Sequence, residues 1–381
     1  MVEPTPLEVE IGRLIRLAGP MPVAQYMELC LAHPRHGYYM ARDPLGLDGD
    51  FTTAPEITQM FGEIVGLWAA AVWRMIGSPQ AVNLVELGPG RGTLMADALR
   101  AARIVPGFAN AIRVHLVETS PALRERQRQT LAGVDIPIAW HDELTSVPHG
   151  LVIIAANEFF DALPVHQAVR LEDGWHERTV EIGADGKLVF GVAPDPLPSF
   201  EQTLPARLRA APSGAIFEWR SHRMAFEIGR RCARGGAALL IDYGHKHGDV
   251  GDTFQAVARH RYADPLAIPG FVDLTAHVDF EALGTAAAGM GARVHGPIEQ
   301  AVFLRRLGIE KRAAALKAKA PPEKAAAIDS ALERLLEAGR TGMGELFKVI
   351  ALSHRKLARL PGFDADARAP APAAPERAAP P

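Results

Sequence analysis

From residue 81 onward, short apolar runs alternate with helical stretches, and that alternation limits the chain to few architectures. Val82–Leu87, Ile112–Glu118, Ile136–Trp140, Leu151–Ala156 and Ala237–Asp242 are apolar along most of their length. A run without a polar face must be covered on both sides, and strand–helix repetition of this kind implies a parallel sheet between helical layers. Ala292–Ile298 and Phe347–Leu352 extend the series. A helical stretch at 301–340, rich in Ala, Glu, Lys, Leu and Arg and broken at Pro321-Pro322, separates them. Val165–Val192 alternates apolar with polar residues and carries Asp173-Gly174 and Asp185-Gly186, which predicts antiparallel hairpins inserted after the fourth strand. The first eighty residues read as helices: Pro4–Gly19, Val23–His33, and a long one from about Glu56 to Ile76. The predicted organisation is a helical cap over 1–80 and an α/β core over 81–355 with insertions at about 165–215 and 300–342. A Pro- and Ala-rich tail over 361–381 can bury too little to order.

The first strand runs into Gly88-Pro89-Gly90-Arg91-Gly92 and then a helical segment. Glycines at 88, 90 and 92 let the backbone turn sharply and approach a ligand closely. A strand, a glycine loop and a helix in that order mark the nucleotide-binding end of a doubly wound sheet. The next strand ends in Glu118, an acid placed to accept two hydrogen bonds from ribose hydroxyls. Dinucleotide binders favour G-x-G-x-x-G and a pyrophosphate on the helix N-terminus. Here the spacing is G-x-G-x-G with Glu86 two residues upstream. A carboxylate there repels a pyrophosphate but suits a cationic amino group. S-adenosyl-L-methionine carries an ammonium, a sulfonium and no phosphate, so electrostatics favour it over NAD. The third strand ends in His141-Asp142-Glu143, where an acid would reach an adenine amino group.

The loop after the fourth strand, Asn157-Glu158-Phe159-Phe160-Asp161-Ala162-Leu163-Pro164, falls beside the glycine loop in such a sheet. Glu158 and Asp161 would clamp a guanidinium, and one carboxylate would help remove its proton. The alternative for Asp161 is a helix cap, and Phe159 and Phe160 also suit the core. His277 either borders the acceptor pocket or is a structural histidine, and Asp279 beside it suits a helix cap. Thr52, Thr53 and Glu56 form either a lid edge over the cofactor or a helix start with Thr53 as cap. The cofactor side is therefore assigned Glu86, Gly88, Gly90, Gly92, Glu118, Asp142, Glu143 and Asn157. The acceptor side is assigned Glu158, Asp161 and His277. His33, His36 and Tyr38 show no metal spacing, and no metal is assigned.

Forty-one Lys and Arg against forty-four Asp and Glu give a net charge of −3, which excludes a strongly basic nucleic-acid coat or a polybasic membrane binder. Two cysteines, Cys30 and Cys232, are too few for a disulfide framework. No run approaches the ~18 apolar residues of a membrane span, and the N-terminus resembles neither a signal nor a transit peptide. The expectation is a cytoplasmic protein with no nucleic-acid partner and no stable membrane insertion; oligomeric state is left open.

The run Glu86–Gly92 resembles motif I of class I methyltransferases, whose fold is Rossmann-like with a seven-stranded, mostly parallel sheet. More narrowly, five stretches together are similar to the MidA family: His33-Pro-Arg-His-Gly-Tyr-Tyr39, Asp50-Phe-Thr-Thr-Ala-Pro-Glu56, Asn157–Pro164, Asp273-Leu-Thr-Ala-His-Val-Asp-Phe280 and Met343-Gly-Glu-Leu-Phe-Lys-Val349. That resemblance spans about residues 10 to 355. Its mitochondrial branch is a complex I assembly factor with protein arginine methyltransferase activity. The resemblance implies methylation of an arginine in a protein, such as a subunit of a respiratory NADH dehydrogenase. The alternative is an assembly or binding protein that keeps the fold with little catalytic role. An NAD-dependent oxidoreductase fits less well, given the glycine spacing and the lack of a Tyr-x-x-x-Lys motif.

Overall fold

The computed structural model describes residues 3–41, 53–258, 261–339 and 342–363. Thr52 and most of the Pro- and Ala-rich tail fall outside them. Seven strands form the central sheet: β1 (Val82–Leu87), β2 (Ile112–Val117), β3 (Ile138–His141), β4 (Val152–Asn157), β5 (Gly236–His245), β6 (Arg293–Glu299) and β7 (Phe347–Ser353). Their spatial order is β3-β2-β1-β4-β5-β7-β6. Neighbours from β3 to β5 are parallel, and β7 runs antiparallel to both β5 and β6. A two-residue strand, Val278–Asp279, pairs in parallel with the end of β5. The order reverses between β1 and β4, which opens a crevice at the carboxyl ends of those strands.

Alternation within each apolar run explains why both faces are buried. Ile153 and Ala155 of β4 join Leu84, Val114 and Leu239 in one core, beneath the helix Gln59–Met75. Val152, Ile154 and Ala156 point the other way, against Ile228 and Cys232 of the helix Arg223–Arg234 and Leu283 of Phe280–Gly289. Full burial of each Val, Leu or Ile side chain among these stabilises the fold by roughly 1.5–3 kcal/mol. Gly66 lets Gln59–Met75 lie directly on the helix Thr93–Ala102: a Cβ there would stand 2.4 Å from the Ala98 carbonyl oxygen. Glu63 fixes the same region, accepting from Arg100 at 3.1 Å and from Arg312 of the helical insertion at 2.7 Å.

The expected continuous helix from Glu56 is two helices, Ala54–Ile57 and Gln59–Met75. Thr58 separates them in extended conformation, and its hydroxyl accepts from the Met60 N–H at 3.3 Å. That bond replaces one the helix would otherwise make. Thr53 holds the cap position of the first helix without a side-chain bond, so it does not cap as the sequence suggests. The hairpins after β4 are Val165–Arg170, Trp175–Ile182 and Leu188–Pro196, completed by Ile216–Arg220 into an antiparallel sheet. A fifth strand comes from the N-terminal region: Met21 and Pro22 pair with Val180 and Thr179. The helical insertion comprises Gln300–Arg306, Ile309–Lys317 and Pro322–Leu336.

Candidate functional site

A cavity of about 330 Å³ lies at the crevice beside the carboxyl ends of β1, β2, β4 and β5. Gly88, Gly90 and Gly92 take φ values of +59°, +53° and +83°, the left-handed region that favours glycine. A Cβ on Gly88 would also stand 2.9 Å from the Phe159 ring. Glu118 closes the next strand as expected. One of its carboxylate oxygens accepts from the Ser120 N–H at 2.8 Å, and the other accepts from the Gln127 amide at 3.2 Å. The same amide nitrogen donates to the Gly90 carbonyl at 2.7 Å, while the Gln127 oxygen accepts from the Trp140 indole at 2.9 Å. Glu86 is buried in the cavity wall, and its Oε2 has no hydrogen-bond partner among the described residues. Burial pushes its carboxyl up to about 8.

The loop after β4 makes the other half of the site. Glu158 has φ +51°, rare for a side-chain-bearing residue and often a mark of a functional constraint. Its Oε1 accepts from the Asn157 amide at 2.9 Å and from the Ala54 N–H at 3.3 Å. Burial, with Asp161 nearby, raises its carboxyl to about 7. Asp161 is buried and accepts from the Tyr243 hydroxyl at 2.7 Å through Oδ2, while its Oδ1 has no partner among the described residues. Burial raises its carboxyl too. The turn is held from behind by Asp242, whose Oδ2 accepts the N–H groups of Phe159, Phe160 and Asp161 at 3.1, 2.9 and 3.2 Å. From the N-terminal region, Tyr39 reaches over the cavity and donates to Asp273 at 2.9 Å. Glu56 also lines it, accepting from the Thr93 hydroxyl at 2.6 Å.

Glu86, Gly88, Gly90, Glu118, Asn157, Glu158 and Asp161 thus converge on one cavity, with Gly92 completing the loop. Three predicted residues do not. Asp142 is exposed and paired with Arg124 at 2.7 Å. Glu143 is exposed, accepting from Thr145 at 2.9 Å and from Arg223 at 3.3 Å. Both carboxylates lie in solvent-exposed ion pairs outside the cavity, although their place at the end of β3 suggests otherwise. His277 faces the opposite side of Tyr243, and Asp279 beside it caps Phe280–Gly289 by accepting from the Ala282 N–H at 3.0 Å. Burial lowers His277 to about 4, so it is neutral at physiological pH. Sequence reasoning gave no site role to Gln127, Tyr243, Asp242, Tyr39 or Asp273, although the last two stand in stretches that carry the family resemblance. Asp242 carried a signal, since it interrupts a buried apolar run; Gln127 carried none.

Among the described residues, the buried side-chain atoms left unpaired in the cavity wall are Glu86 Oε2, Asn157 Oδ1 and Asp161 Oδ1. Asn157 Oδ1 is an acceptor, and the two carboxyls become acceptors once a cation beside them favours their charged form, so a cationic ligand rich in donors suits this wall. The ammonium and ribose hydroxyls of S-adenosyl-L-methionine supply that character beside Glu86 and Glu118, and a nucleotide phosphate does not.

Comparison with known proteins agrees with this donor set. The family described as "Putative S-adenosyl-L-methionine-dependent methyltransferase" matches residues 64–298. The protein arginine methyltransferase NDUFAF7 of Homo sapiens, a mitochondrial protein, is 39% identical over 384 residues, covering 93% of this chain and 85% of the human one. Its Drosophila melanogaster homolog is 38% identical over 376 residues, covering 91% of this chain and 84% of the fly protein. A crystal structure from Burkholderia thailandensis bound to S-adenosyl-homocysteine is 31% identical, covers 96% of both chains and superposes with a TM-score of 0.80.

Proposed function

The chain belongs to the S-adenosyl-L-methionine-dependent methyltransferase family, and we propose that its acceptor is the guanidinium of an arginine in a protein. It is an enzyme, and its cofactor is S-adenosyl-L-methionine. A subunit of a respiratory NADH dehydrogenase is the acceptor protein we favour, with the reaction in the cytoplasm.

The observation that carries the arginine reading is the pair of carboxyls on the loop after β4, Asp161 buried and Glu158 half-buried. Glu158 and Asp161 both line the cavity, and Asp161 Oδ1 has no partner among the described residues. A guanidinium offers five N–H donors and a positive charge to such a pair. When bound, the cofactor supplies an electrophilic methyl group on sulfur. Glu86 and Glu118 hold the cofactor side, and the glycine loop admits it without side-chain obstruction. Glu158 then orients the guanidinium nitrogen and takes its proton. A carboxyl raised to about 7 is matched to that exchange near neutral pH. Asp161, steadied by Tyr243, holds the other edge of the guanidinium plane, and positioning of this kind supplies much of the rate.

The test is to incubate the protein with isotopically labelled S-adenosylmethionine and whole-cell extract from cells lacking it, then hydrolyse and identify the labelled residue. Methylarginine is expected. Label confined to lysine, histidine or a small molecule would overturn the arginine assignment.

A further inference from the structure

A second and larger cavity, about 1020 Å³, lies on the far side of the acceptor loop. The two cavities are separated by a wall of paired rings. Phe159 faces the cofactor cavity and Phe160 faces the second one, their rings 5.4 Å apart and perpendicular. Tyr243 and His277 repeat the arrangement at 5.6 Å. The groove therefore begins where the acceptor loop ends.

Its walls are apolar and aromatic, with Phe200, Phe217, Trp219 and Phe226 contributing rings, and Phe226 is 42% exposed. Its charged lining is mainly acidic. Glu218, Asp249, Asp279 and Glu281 stand against Arg209 and Arg220; Glu281 is paired with Arg207 at 2.7 Å, Glu218 already accepts from Gln167 and Thr253, and Asp249 is exposed. Arg220 is occupied internally: its guanidinium donates to the carbonyls of Leu163, Asp161, Ala276 and His277 at 2.6–3.1 Å. One long side of the groove is the strand Ile216–Arg220, which ends the antiparallel sheet. Among the described residues its outer edge carries a single bridge, Phe217 to Val250. An edge strand beside an apolar channel accepts an extended chain, with backbone bonds giving affinity and pockets giving selectivity.

We propose that this groove binds an extended, basic stretch of the polypeptide substrate, next to the residue that enters the cofactor cavity. The proposal rests on the protein-acceptor reading above. Three observations favour this occupant: the shared wall with the acceptor loop, the acidic lining and the strand edge beyond the Val250 bridge. Apolar residues of the substrate would pack on Trp219 and Phe226, and its Lys or Arg residues would meet the exposed Asp249.

The test uses the full chain, tritiated S-adenosylmethionine and detergent-solubilised extract from cells lacking it. Phe226→Ser and Asp249→Lys change the groove at exposed positions away from the cofactor cavity. Each should raise the extract concentration for half-maximal methylation, and the double variant should raise it by roughly tenfold. The rate at saturation, the melting temperature and S-adenosylhomocysteine affinity should hold. Unchanged half-saturation in the folded double variant overturns the groove. If the wild-type chain binds S-adenosylhomocysteine yet labels no protein, the protein-acceptor reading falls and the groove with it. A dimer that Phe226→Ser dissolves in sedimentation would make a second copy the occupant and overturn the proposal. Stronger maleimide labelling of Ser221→Cys after removal of residues 364–381 would do the same in favour of that segment; the native cysteines are buried and do not compete.

Discussion

The Gln127 side-chain nitrogen stands 2.7 Å from the carbonyl oxygen of Gly90, a residue thirty-seven positions earlier. Its second bond, to Glu118, ties the glycine loop to the acid at the end of β2. Gln127→Ala removes both bonds and the acceptor of the Trp140 indole. Each net hydrogen bond is worth about 0.5–1.5 kcal/mol, so S-adenosylhomocysteine affinity should fall by roughly tenfold. Gln127→Glu should be worse, since it sets a carboxylate against Glu118. Calorimetry on both variants checks the order; equal affinities would remove Gln127 from the site.

Glu118→Ala should weaken cofactor binding by roughly 10²-fold, from the loss of charge-assisted bonds worth ~1.5–3 kcal/mol each, less what water restores. S-adenosylmethionine and S-adenosylhomocysteine share a ribose, so both should weaken equally. A variant that discriminates between them would place Glu118 near the sulfonium.

Glu158→Gln should leave cofactor affinity nearly unchanged and cut methyl transfer by about 10²-fold or more. Wild-type turnover should rise as pH increases through about 7, where the Glu158 carboxyl ionises, and the variant should lose that limb. If Glu158 only satisfies the Ala54 and Asn157 donors, the pattern reverses. Melting temperature drops and turnover per folded molecule holds.

Burial places the Glu86 carboxyl near 8, so the protein without cofactor carries a proton there at neutral pH. An ammonium beside it favours the charged form. Binding of S-adenosylhomocysteine at pH 7 should therefore release close to one proton, read as a dependence of calorimetric heat on buffer ionisation enthalpy. Glu86→Gln should abolish that dependence. The same groups set the stability trend. Folded Glu86 and Glu158 hold protons that the unfolded chain releases above its ordinary carboxylate range, so their contribution to stability falls as pH rises from about 4.5 to 8. A melting temperature that rose through this window in wild type but not in the two Gln variants would contradict the assignment.

The central sheet was legible because β1, β4 and β5 are buried on both faces and must be written as unbroken apolar runs. The glycine loop and Glu118 were legible because their roles follow from position along a strand–turn–helix unit. At Asp142 and Glu143 position pointed to the crevice, but both side chains lie in exposed ion pairs with Arg124 and Arg223 outside the cavity. Position was silent on Gln127 and on the Tyr39–Asp273 contact, which join segments remote in sequence. Thr58 shows the local limit: one hydroxyl bonded to the backbone divides a helix that hydrophobic periodicity alone reads as continuous.

Strand β7 lies between β5 and β6, although it follows both in the chain. During synthesis β6 has no strand to pair with until residues 347–353 have left the ribosome, and β5 meanwhile exposes the edge that β7 will cover. The apolar edge of β5 therefore waits on β7, and an exposed edge of that kind templates aggregation. Premature termination anywhere in the helical insertion should consequently yield a chain that carries the whole glycine loop yet precipitates rather than folds.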